Sequence, residues 1–462
     1  DWTVTCNRDF LEISPLSGSG TGVFTVSIKP QAYWTGTYDA SITVTSAEAT
    51  NSPQSVRLFM EVYSTGTTNA PFGSFATPVN QSTVQSSISV SGWALDDIEV
   101  ESVKIYRESG ADLVFIGDAV FVEGARPDLE TSYANYPLNY RGGWGYMLLT
   151  YGLPDQGMSA SYVLHAIATD KEGNCTDLGT KTIYCDNQNA VKPFGAIATP
   201  TQGGEASGAA YRNWGWALTP PPNMIPTDGS TMSVLVDGVS VGQQVYNLFR
   251  ADIAALFPEC LNANGAAAYY DLDTTAYANG VHTIAWIATD NADNADGIGS
   301  RFFTIVNTSG SSVAASSSQA VIHLASELEA LPLESSSLEA WVGFPEPKSG
   351  RRIRPDAGTG IIALTMEELS RLRLDLDPDS DAPADYCGYL QVGESLRPLP
   401  AGSTLQARSG LFYWQPGPGF LGDYNLVFIN QKTGRRRMTR ITLVPKSFPL
   451  PNANGSIQNE SH

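Results

Sequence analysis

Apolar and polar side chains alternate with a period of two along most of the chain. The first 66 residues show it in Trp2-Thr-Val-Thr, Gly22-Val-Phe-Thr-Val-Ser-Ile, Tyr38-Asp-Ala-Ser-Ile-Thr-Val-Thr and Ser55-Val-Arg-Leu-Phe-Met-Glu-Val. Successive side chains of a strand point to opposite faces, so this alternation predicts short half-buried strands, and the Gly, Ser and Pro clusters between them predict turns. The predicted fold class is all-β, built of tandem sandwich domains.

An internal repeat organises the middle of the chain. Pro71-Phe-Gly-Ser-Phe-Ala-Thr-Pro returns as Pro193-Phe-Gly-Ala-Ile-Ala-Thr-Pro, Gly92-Trp-Ala-Leu as Gly215-Trp-Ala-Leu, and Ile167-Ala-Thr-Asp as Ile287-Ala-Thr-Asp, while Arg126-Pro-Asp is echoed by Arg250-Ala-Asp. Landmarks that keep one register over about 120 residues mark two copies of one module. They run over 71–187 and 193–307, and the short connection between them predicts a fixed relation between the copies. Residues 308–337 shift to Ser and Ala and read as a linker, in which Val321, Leu324, Leu328 and Leu331 fall at the spacing of a short helix ending at Pro332. A last β domain is predicted over 338–447, with a helix at Thr365–Leu372 N-capped by Thr365 with Glu368 at N3, and a tail over 448–462.

The residues of 1–66, with Trp2, Phe10-Leu-Glu-Ile-Ser-Pro and Asn51-Ser-Pro-Gln-Ser-Val, resemble the BACON type of bacterial Ig-like domain. That resemblance implies one or two strands ahead of the Trp segment, so the sandwich is expected to expose an open edge. The tandem modules resemble bacterial Ig-like repeats of exported proteins, with Leu235-Val-Asp-Gly and Asn279-Gly as hairpin turns. Gly410-Leu-Phe-Tyr-Trp-Gln-Pro-Gly-Pro-Gly-Phe-Leu-Gly-Asp-Tyr resembles the Ig/cadherin-like domains of surface proteins. Together they imply tandem Ig-like β-sandwich domains at an extracellular or cell-surface location.

Only 16% of residues are charged and the formal net charge is −20, which argues against nucleic acid as a partner. The charge is uneven: residues 1–337 hold 13 basic and 34 acidic side chains, residues 338–462 hold 14 and 13. No apolar run approaches the ~20 residues of a membrane span. The chain opens on Asp1-Trp2 and reads as mature or trimmed. Five Cys (Cys6, Cys175, Cys185, Cys260, Cys387) form no CxxC pair, which removes thiolate-metal and thioredoxin-like chemistry.

Catalysis finds little support. His165 and His282 sit in alternating strands, His323 in the linker and His462 at the end, and no Gly-x-Ser-x-Gly elbow precedes a helix. No cofactor is expected, with calcium as the one metal candidate: Asp290, Asp293 and Asp296 share a loop of hard oxygen donors, whereas the matching loop Asp170-Lys-Glu-Gly-Asn-Cys has fewer acids. Asp375-Leu-Asp-Pro-Asp-Ser-Asp is a weaker acidic cluster. Arg351, Arg352 and Arg354, and Arg435, Arg436 and Arg437, are candidates for self-association with acidic surface on another copy. Trp144 and Trp214 are candidate sugar platforms, while Trp216, matched by Trp93, reads as core. The expected function is non-enzymatic: an extracellular structural or adhesive protein, self-assembling head to tail into a filament or layer by strand complementation and acid-basic contacts. Strand donors would be Gln319-Ala-Val-Ile-His-Leu or the tail from Ser447. The alternative is a carbohydrate-binding module recognising a cell-surface glycan.

Overall fold

The structure, a computed structural model, describes residues 1–20, 22–31, 33–49, 51–63, 69–307, 328–344, 346–380 and 383–448. The chain divides into two compact units, 1–69 and 70–462.

In the first unit, strands Ser17–Gly18, Trp2–Cys6, Gly36–Thr45 and Gln54–Val62 form one sheet in that spatial order, opposed by the pair Leu11–Ser14 and Thr25–Ile28. Val4, Phe10, Leu11, Ala40 and Ile42 make its small core. Among the described residues Gln54–Val62 pairs only with Gly36–Thr45, which leaves its other side an open edge there. Val56 and Phe59 on this strand are 66% and 61% exposed.

The two repeats share one topology. A four-stranded sheet runs Val120–Phe121, Gly143–Leu149, Ser87–Leu95, Phe72–Thr77 in the first and Val245–Leu248, Ala267–Leu272, Tyr211–Leu218, Phe194–Ile197 in the second. A five-stranded sheet faces it in each, centred on Ala160–Asp170 and on Gly280–Thr289. The repeated Arg-x-Asp marks the same short helix in both: Arg126 pairs with Asp128 and Arg250 with Asp252 in its first turn. The copies are locked together by Tyr151, which stacks on Phe194 at 3.9 Å within a cluster containing Trp216, Ile253 and Phe257.

The C-terminal sandwich has two five-stranded sheets, one of Arg351–Ile353, Leu338–Val342, Leu372–Asp375, Leu411–Trp414 and Ser403–Gln406, the other of Ile361–Glu367, Arg435–Val444, Gly422–Asn430, Tyr386–Val392 and Ser395–Arg397. The helix expected from Thr365 is instead the end of a strand. Ile362, Leu364 and Met366 are buried in alternation, and the segment lies parallel to Arg435–Val444, pairing Thr365 with Thr442. The period-two pattern and a neighbouring strand outweigh a four-residue capping signature. Of the linker helix, Leu328 and Leu331 pack on Cys387, Tyr389, Val427 and Ile429; residues 308–327 lie outside the described residues.

The second unit is not a row of domains. The C-terminal sandwich packs on both repeats, and its core runs on into Val122, Ala125 and Phe302. It covers the four-stranded sheet of the first repeat with Pro418 against Gly145, and beside that sheet Tyr424 Oη donates to the Ala125 carbonyl at 2.5 Å and Arg397 pairs with Glu130 of the short helix at 2.6 Å. It also touches the five-stranded sheet of the second, where Arg371 donates to the Gly238 carbonyl and Thr404 to that of Asp237. The unequal charge of the domains is thus partly met inside the molecule.

Candidate interaction surfaces

The Arg clusters divide by location. Arg351 and Arg354 are exposed on and beside an edge strand, and Arg352 pairs with Asp379 at 2.7 Å. Arg435 is exposed, but Arg436 and Arg437 are not available to another copy. Arg436 donates to the Leu331 carbonyl, and Arg437, 2% exposed, donates to the Ser336 carbonyl and hydroxyl. They fasten the end of the linker along the final strand. Burial pushes the Arg437 guanidinium down, against Tyr386, Glu334 and Asp377. A long cation beside a strand with free carbonyls finds its partners in its own chain first.

Trp144 is fully buried and cannot be a sugar platform. It lies against Phe75, and its indole occupies the space above Gly92, where a Cβ would come within 2.6 Å of the ring. The second repeat fills the same space from the opposite sheet: Trp286 sits over Gly215 and donates to Asn213 Oδ1 at 2.6 Å. The positions matching Trp144 and Trp286 in the other copy are Ala268 and Ala166, both fully buried. Each sandwich therefore holds one indole and one alanine at this level, in opposite order.

Trp214 is 38% exposed beside Tyr269, and Arg212 lies over the Tyr269 ring at 4.2 Å while forking onto Asp271. Trp216, on the same face, is covered by Phe257 and Phe194. The positions matching Arg212, Trp214 and Tyr269 in the first repeat are Ser89, Ser91 and Gly145. There both serines are buried, and a Cβ on Gly145 would overlap the Pro418 carbonyl of the C-terminal domain.

At that junction Glu368, 3% exposed, accepts from the Lys446 N–H. Burial pushes its carboxyl up to about 7, partly offset by Lys446, Ser89 and Thr77. Lys446 also reaches the Ser87 carbonyl and Asp296, each at 3.4 Å.

Asp290, Asp293 and Asp296 do not converge. Asp290 is buried and acts as the knot of its hairpin: Oδ1 accepts from the N–H groups of Ala292 and Asn294, and Oδ2 from the Asn294 amide and the Thr219 hydroxyl at 2.9 Å. Asp293 supplies the positive-φ residue of the turn, and Asp296 faces Lys446. Among the described residues, acidic ligand atoms gather instead in the first repeat, where carboxylate oxygens of Asp96, Asp170 and Glu172 lie within 4.8 Å of one another. Burial pushes the Asp96 carboxyl up, and the charges of Asp97 and Asp170 add to that against two backbone N–H donors. Loop composition hid this cluster, because Asp96 comes from a different strand end. The signal was in the repeat alignment, where Asp96 stands opposite Thr219.

His165 bridges Asp177 and Glu108, and His282 bonds Asp237 at 2.6 Å. In both, burial lowers the imidazole but the carboxylates outweigh it and raise it overall. His323 and His462 lie outside the described residues. The five cysteines are unpaired thiols.

No family model matches this chain, and no curated protein does. Solved structures similar to it include the fibronectin(III)-like modules of Clostridium thermocellum CbhA (16% identity over 51% of this chain and 94% of that one, TM-score 0.17). Others are Sidekick-1 immunoglobulin domains 1–4 (10%, 96% and 90%, TM-score 0.21) and domains 4–9 of the surface layer protein SbsC (8%, 96% and 57%, TM-score 0.23). Among the described residues no helix is long and apolar enough to cross a membrane. By its paired sheets the chain is an all-β protein of tandem β-sandwiches.

Proposed function

We propose that this chain is a non-enzymatic structural or adhesive protein of the cell exterior, and that copies associate end to end by strand addition at the edge Gln54–Val62 of the first domain. The observation that carries the reading is that edge: nine residues long, paired on one side only among the described residues, with Val56 and Phe59 exposed. Such an edge is a template for another strand, and a heterologous contact of this kind propagates into fibres unless its rotation closes. Of the candidate donors, residues 319–324 and the tail beyond Phe448 lie outside the described residues; Phe448 packs against the first repeat. Arg351, Arg354 and Arg435 remain as the cations available to acidic surface on a neighbour.

Sedimentation velocity and electron microscopy of the full chain test this. Assemblies that grow with concentration, and are lost in Val56→Lys/Phe59→Lys, support strand addition. A monomer at every concentration and salt sinks it, and unchanged assembly after removal of 449–462 excludes the tail as donor.

A second reading, glycan binding, is favoured by the open face of Arg212, Trp214 and Tyr269 in the second repeat, an aromatic surface flanked by a fixed guanidinium and carboxylate. Glycan-array binding that Trp214→Ala abolishes would support it.

A further inference from the structure

In each repeat the hairpin that follows the Ile-Ala-Thr-Asp strand meets the opposite sheet at one end. In both, the Asp knots the hairpin identically. Asp170 Oδ1 accepts from the N–H groups of Glu172 and Asn174, and its Oδ2 from the Asn174 amide at 2.8 Å, matching the bonds of Asp290 donor for donor. The copies differ in what reaches this carboxylate from the opposite sheet. In the second repeat it is the Thr219 hydroxyl, which donates to Asp290 Oδ2. In the first it is Asp96, which as a carboxylate has no proton to give.

Asp96 is 2% exposed. Its Oδ2 accepts from the N–H groups of Ile98 and Glu99, while its Oδ1 is buried with no hydrogen-bond partner. A buried acceptor left unmatched carries a full desolvation cost, and two facing carboxylates add repulsion. Arg141, which lines a crevice together with Asp96 and Glu99, is bonded to Glu99. Glu172 brings a third carboxylate to the group from the exposed side of the turn.

We propose that Asp96, Asp170 and Glu172 bind a divalent cation, calcium, that takes the place of the Thr219–Asp290 hydrogen bond in pinning the two sheets of the first repeat. The donor set is all oxygen and carries no His or Cys, which selects a hard cation over zinc or copper. Glu172 on the open side leaves room for the water ligands with which calcium completes its six to eight positions.

The test is calorimetric titration of CaCl₂ into chelator-treated full-length protein at pH 7.4, with MgCl₂ as a parallel arm, alongside thermal unfolding with EDTA and with millimolar Ca²⁺. The expected result is saturable Ca²⁺ binding and a midpoint raised by at least about 2 °C. Glu172→Gln should weaken binding about tenfold or more. Asp96→Thr, which installs the partner the second repeat already uses, should fold, lose the Ca²⁺ response and be more stable than the parent in EDTA. Asp293→Asn should keep the response. No Ca²⁺ binding up to about 10 mM, beyond the weakest extracellular sites, or a response that survives Asp96→Thr, would overturn the assignment. So would a parent whose midpoint rises on acidification but ignores Ca²⁺, which would show that Asp96 and Asp170 share a proton instead.

Discussion

The two repeats have the same strands in the same order, yet the same face of the same sheet does opposite things in them. In the first, Ser89, Ser91 and Gly145 lie under the C-terminal sandwich; in the second, Arg212, Trp214 and Tyr269 stand at those places in the open. Small residues let a partner backbone approach, and large ones hold it off or offer it something to grip. The contrast teaches that a duplicated module keeps its interior pattern while its outer face is rewritten for each neighbour. The interiors conserve volume by exchange, Trp144 with Ala166 against Ala268 with Trp286.

The largest effect that would break this comparison is in the interior. Trp144→Ala removes a fully buried indole whose place no other side chain fills, and should cost about 3–5 kcal/mol in denaturant unfolding of residues 70–462. Adding Ala166→Trp copies the arrangement of the second repeat and should recover part of that loss. If the double variant is no better than the single one, the two indoles are not alternatives for one space.

Next is the strand-end tie. Thr219→Asp places in the second repeat the carboxylate pair of the first, removing the donor to Asp290 and leaving two buried anions side by side. The expected loss is about 3 kcal/mol at pH 7, read as a lowered unfolding midpoint. Unchanged stability would mean that the Thr219–Asp290 bond does not hold the sheets there.

The covered face gives a pH signature that the open face lacks. The Glu368 carboxyl holds its proton up to about 7 in the folded protein, against 4.5 ordinarily. Between those values the folded state binds more protons than the unfolded, so stability falls as pH rises from about 4.5 to 7 and is then level. The two-and-a-half-unit window corresponds to at most about 3 kcal/mol. Glu368→Gln should gain most of that at pH 8, gain nothing at pH 4 and flatten the slope. His165 and His282 add to the slope that remains: their raised imidazoles stabilise the fold below 6.5 and lose that contribution as pH rises through their folded values.

Much of this comparison is legible in the sequence, and its gaps have physical causes. Alternation and turn residues predict the strands, and the three repeated landmarks predict the shared register, because both are local. Thr365 misleads because a capping signature is also local, whereas the parallel strand Arg435–Val444 that overrides it arrives about seventy residues later. Trp144 and Arg437 mislead because a strand pattern tells that two faces differ, not which one is buried: Trp144 faces the core of its own sandwich, and Arg437 is held by the linker end at Ser336. The trio of Asp96, Asp170 and Glu172 could have been found by setting the repeats side by side and asking where one offers an acceptor for the other's donor.

The smallest effect separates the two tryptophans that the sequence offers as platforms. Trp214 is more than a third exposed, with its contacts to Tyr269 and Arg212 at the surface, so Trp214→Ala should cost less than about 1 kcal/mol. A loss as large as that of Trp144→Ala would mean that this face is covered in the folded protein by something it carries itself, and the contrast between a rewritten open face and a rewritten covered one would fall.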